Sequence, residues 1–177
     1  MSDEPFSLAQ LFGAIEQHLD DNLPGLQMVA VWPDLSGRQH IPLPAVFLEL
    51  AEFEPGQDIG TGETVLVCKF EARIVVDVLR DDHQRQAAQL ATQLAVLLRA
   101  QTWGLEVEPA EFVQAVQDWT RPELDGYTVW LVEWNQQVYL GSEEWPWPAQ
   151  PSGTLVFGFH PETGPGHEAD YVAPGDM

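Results

Sequence analysis

Carboxylates and histidines are the side chains of this sequence with the clearest potential for chemistry, and they gather at two places. Asp81, Asp82 and His83 are consecutive, and residues 160–170 hold two histidines among several acids. Such groups bind divalent cations or act as general acid and base. The first group stands where a predicted strand gives way to a helix, which favours a helix N-cap with a solvated histidine. The second group has a spacing that fits no familiar metal site, so we predict no metal and no other cofactor.

The acids are too numerous for any one pair to indicate catalysis. The chain has 28 acidic residues among 177, and chance alone places many carboxylates near one another. The sequence contains no phosphate-binding loop, no nucleophile elbow, no CxxC and no HExxH motif. We therefore predict a protein that is not an enzyme and has no catalytic residue.

The composition is that of a folded chain with an extreme charge. Hydrophobic residues make up 45% of it, enough for a core of ordinary size in one domain. The formal net charge of −21 disfavours ordinary nucleic-acid binding, because phosphates need cations. It also makes self-association depend on screening by salt. The lone Cys68 is expected to be a buried, inert thiol.

No targeting or membrane segment is evident. The first residues lack the basic start and apolar centre of a signal peptide, and no run approaches about 18 apolar residues. The expectation is a protein made in the cytosol that has no contact with a membrane.

A long hairpin over residues 44–79 dominates the pattern. Apolar and polar side chains alternate from Thr64 to Val78, the period of a half-buried antiparallel strand. Usual strands have about 5–6 residues, so we expect this hairpin to project beyond its sheet. Its tip, residues 55–62, holds three glycines and should be mobile. We predict that the tip contacts a partner through Pro55, Gly56, Asp58, Ile59 and Gly60.

The remaining elements predict the fold class. One helix follows a cap at Ser7, and a second follows Asp81 or Asp82. Further strands are predicted at residues 28–32, 112–119 and 127–140. This order indicates an α+β fold: a mostly antiparallel sheet with two helices packed on one face, a long protruding β-hairpin and an extended C-terminal arm.

The composition changes after Gly141, which predicts an α/β domain over residues 1–141 and an extension over residues 142–177. The final 37 residues hold six prolines, six glycines and six acids, but no Lys or Arg. The segment could lie on a neighbouring surface, with residues 155–160 adding as a strand to an exposed edge, or it could pack on its own domain. Its candidate contact residues are Trp145, Trp147, Phe157 and Phe159.

Four of the seven basic residues fall within seventeen positions: Lys69, Arg73, Arg80 and Arg85. One interpretation is ordinary ion pairing with Glu71 and Asp77 on the polar face of the long strand. The other makes Lys69 and Arg73 part of a patch that binds the acidic surface of an identical subunit. A head-to-tail ring needs two such complementary surfaces on each subunit.

Several segments together resemble a known family. They are IPLPAVFLELAEFEPGQDIGTGE, FEARIVVDV, the leucine- and alanine-rich helix that ends near QTWG, and RPELDGYTVWLVEWNQQVYLG. Their order and spacing over residues 6–141 resemble the tail terminator (tail completion) proteins of tailed bacteriophages and related prophages. The resemblance lies in structural segments, not in a catalytic signature.

The resemblance implies a structural virion protein of the tail and neck, assembled in the cytoplasm of the host bacterium. Identical subunits would form a hexameric ring that caps the head-proximal end of the tail tube, stops its polymerisation and joins it to the head connector. Implied partners are the tube protein and also the sheath and the connector or collar, while genomic DNA passes through without specific binding. The alternatives are another neck or collar protein and, in a different class, an acidic DNA-mimic inhibitor.

Overall fold

The computed structural model describes residues 6–31, 41–142, 144, 156–161 and 163–174. The chain divides into two compact units, residues 1–144 and residues 145–177, and each is described by itself. Trp145 and Trp147 lie outside the described residues.

The first unit has the predicted α+β fold. A five-stranded sheet has the strand order β1-β2-β3-β5-β4, and all its strand pairs are antiparallel except β1–β2. No described helix is long and apolar enough to cross a membrane. The elements are α1 (Leu8–Asn22), β1 (Met28–Val31), β2 (Ala45–Pro55), β3 (Thr64–Asp77), α2 (His83–Leu97), β4 (Glu111–Gln117), a 3-10 turn (Pro122–Leu124) and β5 (Tyr127–Leu140).

Helix α1 begins where the sequence predicts it. The Ser7 hydroxyl oxygen accepts a hydrogen bond from the Gln10 backbone N–H, and the Gln10 side-chain oxygen accepts one from the Ser7 N–H. These reciprocal bonds satisfy two of the donors that the first helical turn leaves unpaired. Every fourth residue of the apolar face, Leu11, Ile15 and Leu19, is fully buried.

One face of the sheet packs against both helices. The even-numbered side chains of β3 from Cys68 to Val76 point into this core, where Phe70 stacks on Trp134 at 5.3 Å between ring centroids. Cys68 is buried, as predicted, and burial raises the pKa of its thiol. The opposite face has a smaller apolar cluster that includes Phe47, Val75 and Val129. Next to that cluster the helix-free face becomes polar.

The predicted extension of the long hairpin is three-stranded. Strand β5 pairs with all of β3, from Thr64 opposite Leu140 to Asp77 opposite Tyr127. The edge strands are short, since β1 pairs only with residues 45–48 of β2 and β4 only with residues 130–135 of β5. β2, β3 and β5 therefore continue together past both edge strands, because β5 is long enough to pair with the whole of β3.

A β-bulge at Ala51 changes which side chains share a face of β2. Leu50 lies opposite Phe70 and Glu52 opposite Lys69, so the register shifts by one residue between them. As a result Leu50 and Phe53 share the helix-covered face, and Glu52 and Glu54 lie on the helix-free face. Uninterrupted alternation would have placed Glu52 and Glu54 on the helix-covered face and Phe53 on the helix-free face.

The start of α2 differs from expectation in two details, its cap and the environment of His83. Asp82 is the N-cap residue of α2, but its side chain makes no capping hydrogen bond. His83 is half-buried, not solvated, because its Nδ1 lies 2.6 Å from the Thr128 hydroxyl. Helix α2 ends at Leu97, so Arg99 lies just beyond its last turn.

Candidate interaction surfaces

A nearly buried ion cluster occupies the polar part of the helix-free face. Arg73 is 7% exposed, and each of its three side-chain nitrogens donates to a different carboxylate. Nη1 lies 2.7 Å from Glu49, Nη2 lies 2.6 Å from Glu71, and Nε lies 2.8 Å from Asp118. Arg121 also pairs with Glu49. The planar guanidinium suits this arrangement because its donors point in fixed, separate directions.

Hydrogen bonding outweighs burial in this cluster. Burial opposes the charged form of Arg73, but the hydrogen bonds to Asp118 and Glu71 raise the pKa of its guanidinium. Burial would likewise raise the pKa of Asp118, yet the bonds from Thr120 and Arg73 lower it. Both shifts favour the charged forms of Arg73 and Asp118 at neutral pH.

A second ion pair extends the cluster towards the tip. Lys69 Nζ lies 2.9 Å from Glu133, which is buried and also accepts a hydrogen bond from Gln114. The bond to Glu133 raises the pKa of Lys69. Burial of Glu133 works against its charged form, but the bonds from Lys69 and Gln114 lower the pKa of this carboxyl.

These contacts bear on the two interpretations of the basic residues. Arg73 and Lys69 are paired inside the first unit, which favours ordinary ion pairing, and their contact with a neighbouring subunit stays a prediction. Asp77, one of the expected partners, instead accepts a hydrogen bond from the Leu79 backbone N–H. Four residues of strand separate it from Arg73, about 13 Å, which is beyond direct contact.

The hairpin tip is exposed and shaped by its glycines. Ile59 is 53% exposed, while Gly60 and Gly62 have φ values of +78° and +88°. The Asp58 carboxylate accepts a hydrogen bond from the Gly60 backbone N–H at 2.7 Å, a local turn that suits a left-handed residue. Contact between this tip and a partner stays a prediction.

Each end of the tip is fixed by a close contact with a neighbouring segment. A side chain at Gly56 would place its Cβ 2.5 Å from the Val65 side chain, so only glycine fits there. The Thr61 carbonyl accepts a hydrogen bond from the Glu144 N–H at 2.6 Å. The tip is therefore anchored at both ends, with residues 57–60 facing outward.

Several apolar side chains are exposed that no pattern in the sequence predicts to be exposed. Phe53 is 59% exposed although it lies on the helix-covered face, and Trp119 is 72% exposed just after β4. Leu79 is also largely exposed, at the entry to α2. Residue type alone could not have singled them out, because Trp103 and Trp134 are buried whereas Trp119 is exposed.

The second unit closes on itself over its described residues. Phe157 and Val172 exchange two backbone hydrogen bonds of 2.8 and 2.9 Å. Gly158 lies under the Tyr171 ring, and the Tyr171 hydroxyl accepts a hydrogen bond from the Gly164 N–H. The backbone of Phe157 is thus already paired within the unit, and the addition of residues 155–160 to an exposed edge stays a prediction. Phe157 and Phe159 nevertheless keep exposed rings, and their contact with a partner stays a prediction.

The candidate functional features of the described residues are surfaces that a partner could contact. In the part of the chain that the structure describes, no three His, Cys, Asp or Glu side chains come together as a metal site. No protein-family model matches the chain, and no curated protein is significantly similar to it. The exposed tip, the ion cluster and the outer face of α2 are therefore the features on which a function can be argued.

Removing the second unit is expected to leave the first unit folded. A chain that ends at Glu144 keeps the whole sheet, both helices and the bond to Thr61, so its free energy of unfolding should change by no more than about 0.5 kcal/mol. Urea denaturation followed by tryptophan fluorescence measures this. We expect attachment to partners to weaken in a pull-down of the assembled tail. A lost unfolding transition would show that the segment belongs to the core.

Proposed function

We propose that this chain is the tail terminator subunit of a tailed bacteriophage or prophage, a non-enzymatic protein that forms a hexameric ring on the head-proximal end of the tail tube. The observation that carries the proposal is the exposed tip, with Ile59 53% exposed, at the end of three strands that continue past both edge strands. An anchored loop on a stiff support can insert into a neighbouring ring at little entropic cost.

The segment resemblance over residues 6–141 names the assembly to which such a loop would belong. The strands and helices that carry the resemblance are those of the first unit, and they enclose one main core. The ring would stop tube growth by occupying the surface on which the next tube ring adds. Its other side would be left for the head connector or collar.

The charge supports a role beside a DNA channel. At net −21 the surface offers phosphates few cations, so DNA could pass without binding. The charge distribution also argues against a DNA mimic, which must display its carboxylates in a dense regular array. On the helix-free face, Glu49, Glu71, Asp118 and Glu133 are instead engaged in ion pairs within the chain.

A tube-length assay tests the proposal. Tail-tube subunits of the phage or prophage that carries this chain would be polymerised with increasing amounts of the full chain and viewed by negative-stain microscopy. We expect tubes that shorten with dose, a gold-labelled chain at one end only, and six-fold end views. The variant Ile59→Asp should lose capping and keep its thermal unfolding temperature. Trp119→Asp, the same change at another exposed apolar side chain outside the tip, is the control and should still cap.

Two outcomes would favour the alternatives. A chain that binds purified connector but leaves tube length unchanged would be another neck or collar protein. A strictly monomeric chain that ignores tubes and titrates a nuclease or polymerase would be a DNA mimic.

A further inference from the structure

The outer face of α2 is free of acids in a chain that is otherwise rich in them. Between Asp82 and Glu106 the sequence has 23 residues and no Asp or Glu. Helix α2 occupies most of this stretch, and its solvent-facing side chains follow a stripe at helical spacing. We call these residues the α2 stripe: Arg85, Gln89, Thr92, Gln93, Val96 and Arg99, all exposed.

Among the described residues, the basic side chains without a close carboxylate partner lie on or beside α2. Lys69, Arg73 and Arg121 are engaged with carboxylates on the helix-free face. The other bases among the described residues are Arg80, Arg85 and Arg99. Arg80 precedes α2, Arg85 lies in its first turn, and Arg99 follows its last turn. Arg85 is 73% exposed and makes only a 3.9 Å contact with Asp82. The described cations that have no close carboxylate partner thus lie on or beside α2, and the contact of Lys69 and Arg73 with a neighbouring subunit stays a separate prediction.

The α2 stripe also lines a groove and includes an exposed apolar side chain. An open groove of about 650 Å³ runs along it, between α2 and the end of α1 at Asn22 and Pro24. Arg85 lines one part of the groove and Val96, which is 68% exposed, lines another. A cation beside an exposed apolar side chain in a groove suits a partner surface that is acidic and partly apolar.

A second surface of the same chain has the complementary chemistry. Glu52, Glu54 and Asp58 are exposed, on the distal part of β2 and the tip, and we call them the distal acid patch. The bulge at Ala51 turns Glu52 and Glu54 onto the helix-free face. The patch and the α2 stripe therefore lie on opposite faces of the sheet. Ile59 is exposed on the same tip as Asp58 and supplies an apolar side chain beside the patch.

We propose that the α2 stripe of one subunit binds the distal acid patch of a second copy. Two different surfaces that face opposite ways make a head-to-tail contact, and such contacts close into a ring when the rotation allows it. The inference rests on the proposed ring-forming function and names the surfaces through which the ring closes. In this contact the α2 stripe of one subunit lies against the hairpin tip of the next subunit.

A charge exchange tests the contact. Sedimentation velocity of the full chain would compare wild type with Arg85→Glu/Arg99→Glu, with Glu52→Lys/Glu54→Lys, and with all four changes combined. We expect each pair to weaken self-association at least about tenfold and the combination to restore it to within about threefold of wild type. Each changed side chain is exposed, and thermal unfolding would check that each variant is folded.

Net charge alone predicts a different result. Glu52→Lys/Glu54→Lys reduces the net negative charge by four, from −21 to −17, so a general repulsion between copies would make this variant associate more tightly. Our proposal expects weaker association. The control Glu106→Lys/Glu111→Lys makes the same charge change at exposed positions outside both surfaces, and it should not weaken association.

The outcomes separate this inference from the proposed function. If wild type forms rings that shorten tubes, and the stripe variants associate as tightly as wild type, the contact is overturned while the function stands. The contact is equally overturned if both pairs weaken association and their combination does not restore it. If wild type remains a monomer with and without tubes, there is no contact between copies, and the tube-length assay decides the function by itself.

Discussion

Arg73→Met is expected to lower the free energy of unfolding by about 3–5 kcal/mol at pH 7, the cost of removing one partner from a buried ion cluster. Three carboxylates, those of Glu49, Glu71 and Asp118, would lose their shared cation. Water cannot replace it fully, because Arg73 is almost completely enclosed. Urea denaturation measures the loss. Arg85→Met is the matched control on the surface, and it should change the free energy of unfolding by no more than about 0.5 kcal/mol.

The loss should depend on pH in a defined direction. In wild type the folded-state pKa of Asp118 lies below its unfolded value, so its contribution is complete above about pH 4 and is lost as the pH falls through the folded-state pKa. In Arg73→Met the buried Asp118 loses its cation, whereas Glu49 keeps Arg121, so Asp118 binds a proton more readily in the folded variant than in wild type. Between pH 7 and about 4 wild type therefore changes little while protonation of Asp118 relieves the folded variant, and the difference between them should shrink as the pH falls. A difference that is constant over this range, or absent at pH 7, would contradict the role assigned to the cluster.

Trp134→Ala is expected to lower the free energy of unfolding by about 3–5 kcal/mol, the range for emptying a large buried aromatic site. Trp134 is fully buried and stacks on Phe70, with Trp103 on another side. Truncation would leave a cavity at the centre of the contact between the sheet and both helices. Urea denaturation, at a concentration low enough to avoid association, measures the loss.

Trp119→Ala is the control for that result, since Trp119 is largely exposed just after β4. It should change the free energy of unfolding by no more than about 0.5 kcal/mol. Equal losses for the two tryptophans would mean that the assigned core is wrong. Trp134→Phe should cost less than Trp134→Ala, because it keeps an aromatic ring against Phe70 and the Trp134 indole N–H has no hydrogen-bond partner among the described residues.

Local pattern was enough to predict most of the fold. The alternation along β3 located a strand of the right length, and the predicted bounds of β5, residues 127–140, are those observed. The cap of α1 needed only Ser7 and Gln10, three residues apart. Each of these features depends on neighbours in sequence, whose side-chain directions the helix or strand period dictates. The exposed position of the glycine-rich tip was predictable for the same reason.

The candidate surfaces depended on contacts between distant parts of the chain. Asp118 reaches Arg73 across 45 residues because β4 and Arg73's own strand both pair with β5, and no local signal marks that meeting. The bulge at Ala51 reverses the faces of Phe53, Glu52 and Glu54, since a single extra residue inverts the alternation of a strand. The sequence by itself determined the elements, the core and the excess of negative charge. Only the tertiary structure decided that Lys69 and Arg73 are paired inside the fold and that, in the part of the chain that the structure describes, the cations without a close carboxylate partner lie along α2. The reason is that pairing between strands, not spacing along the chain, sets which charges meet.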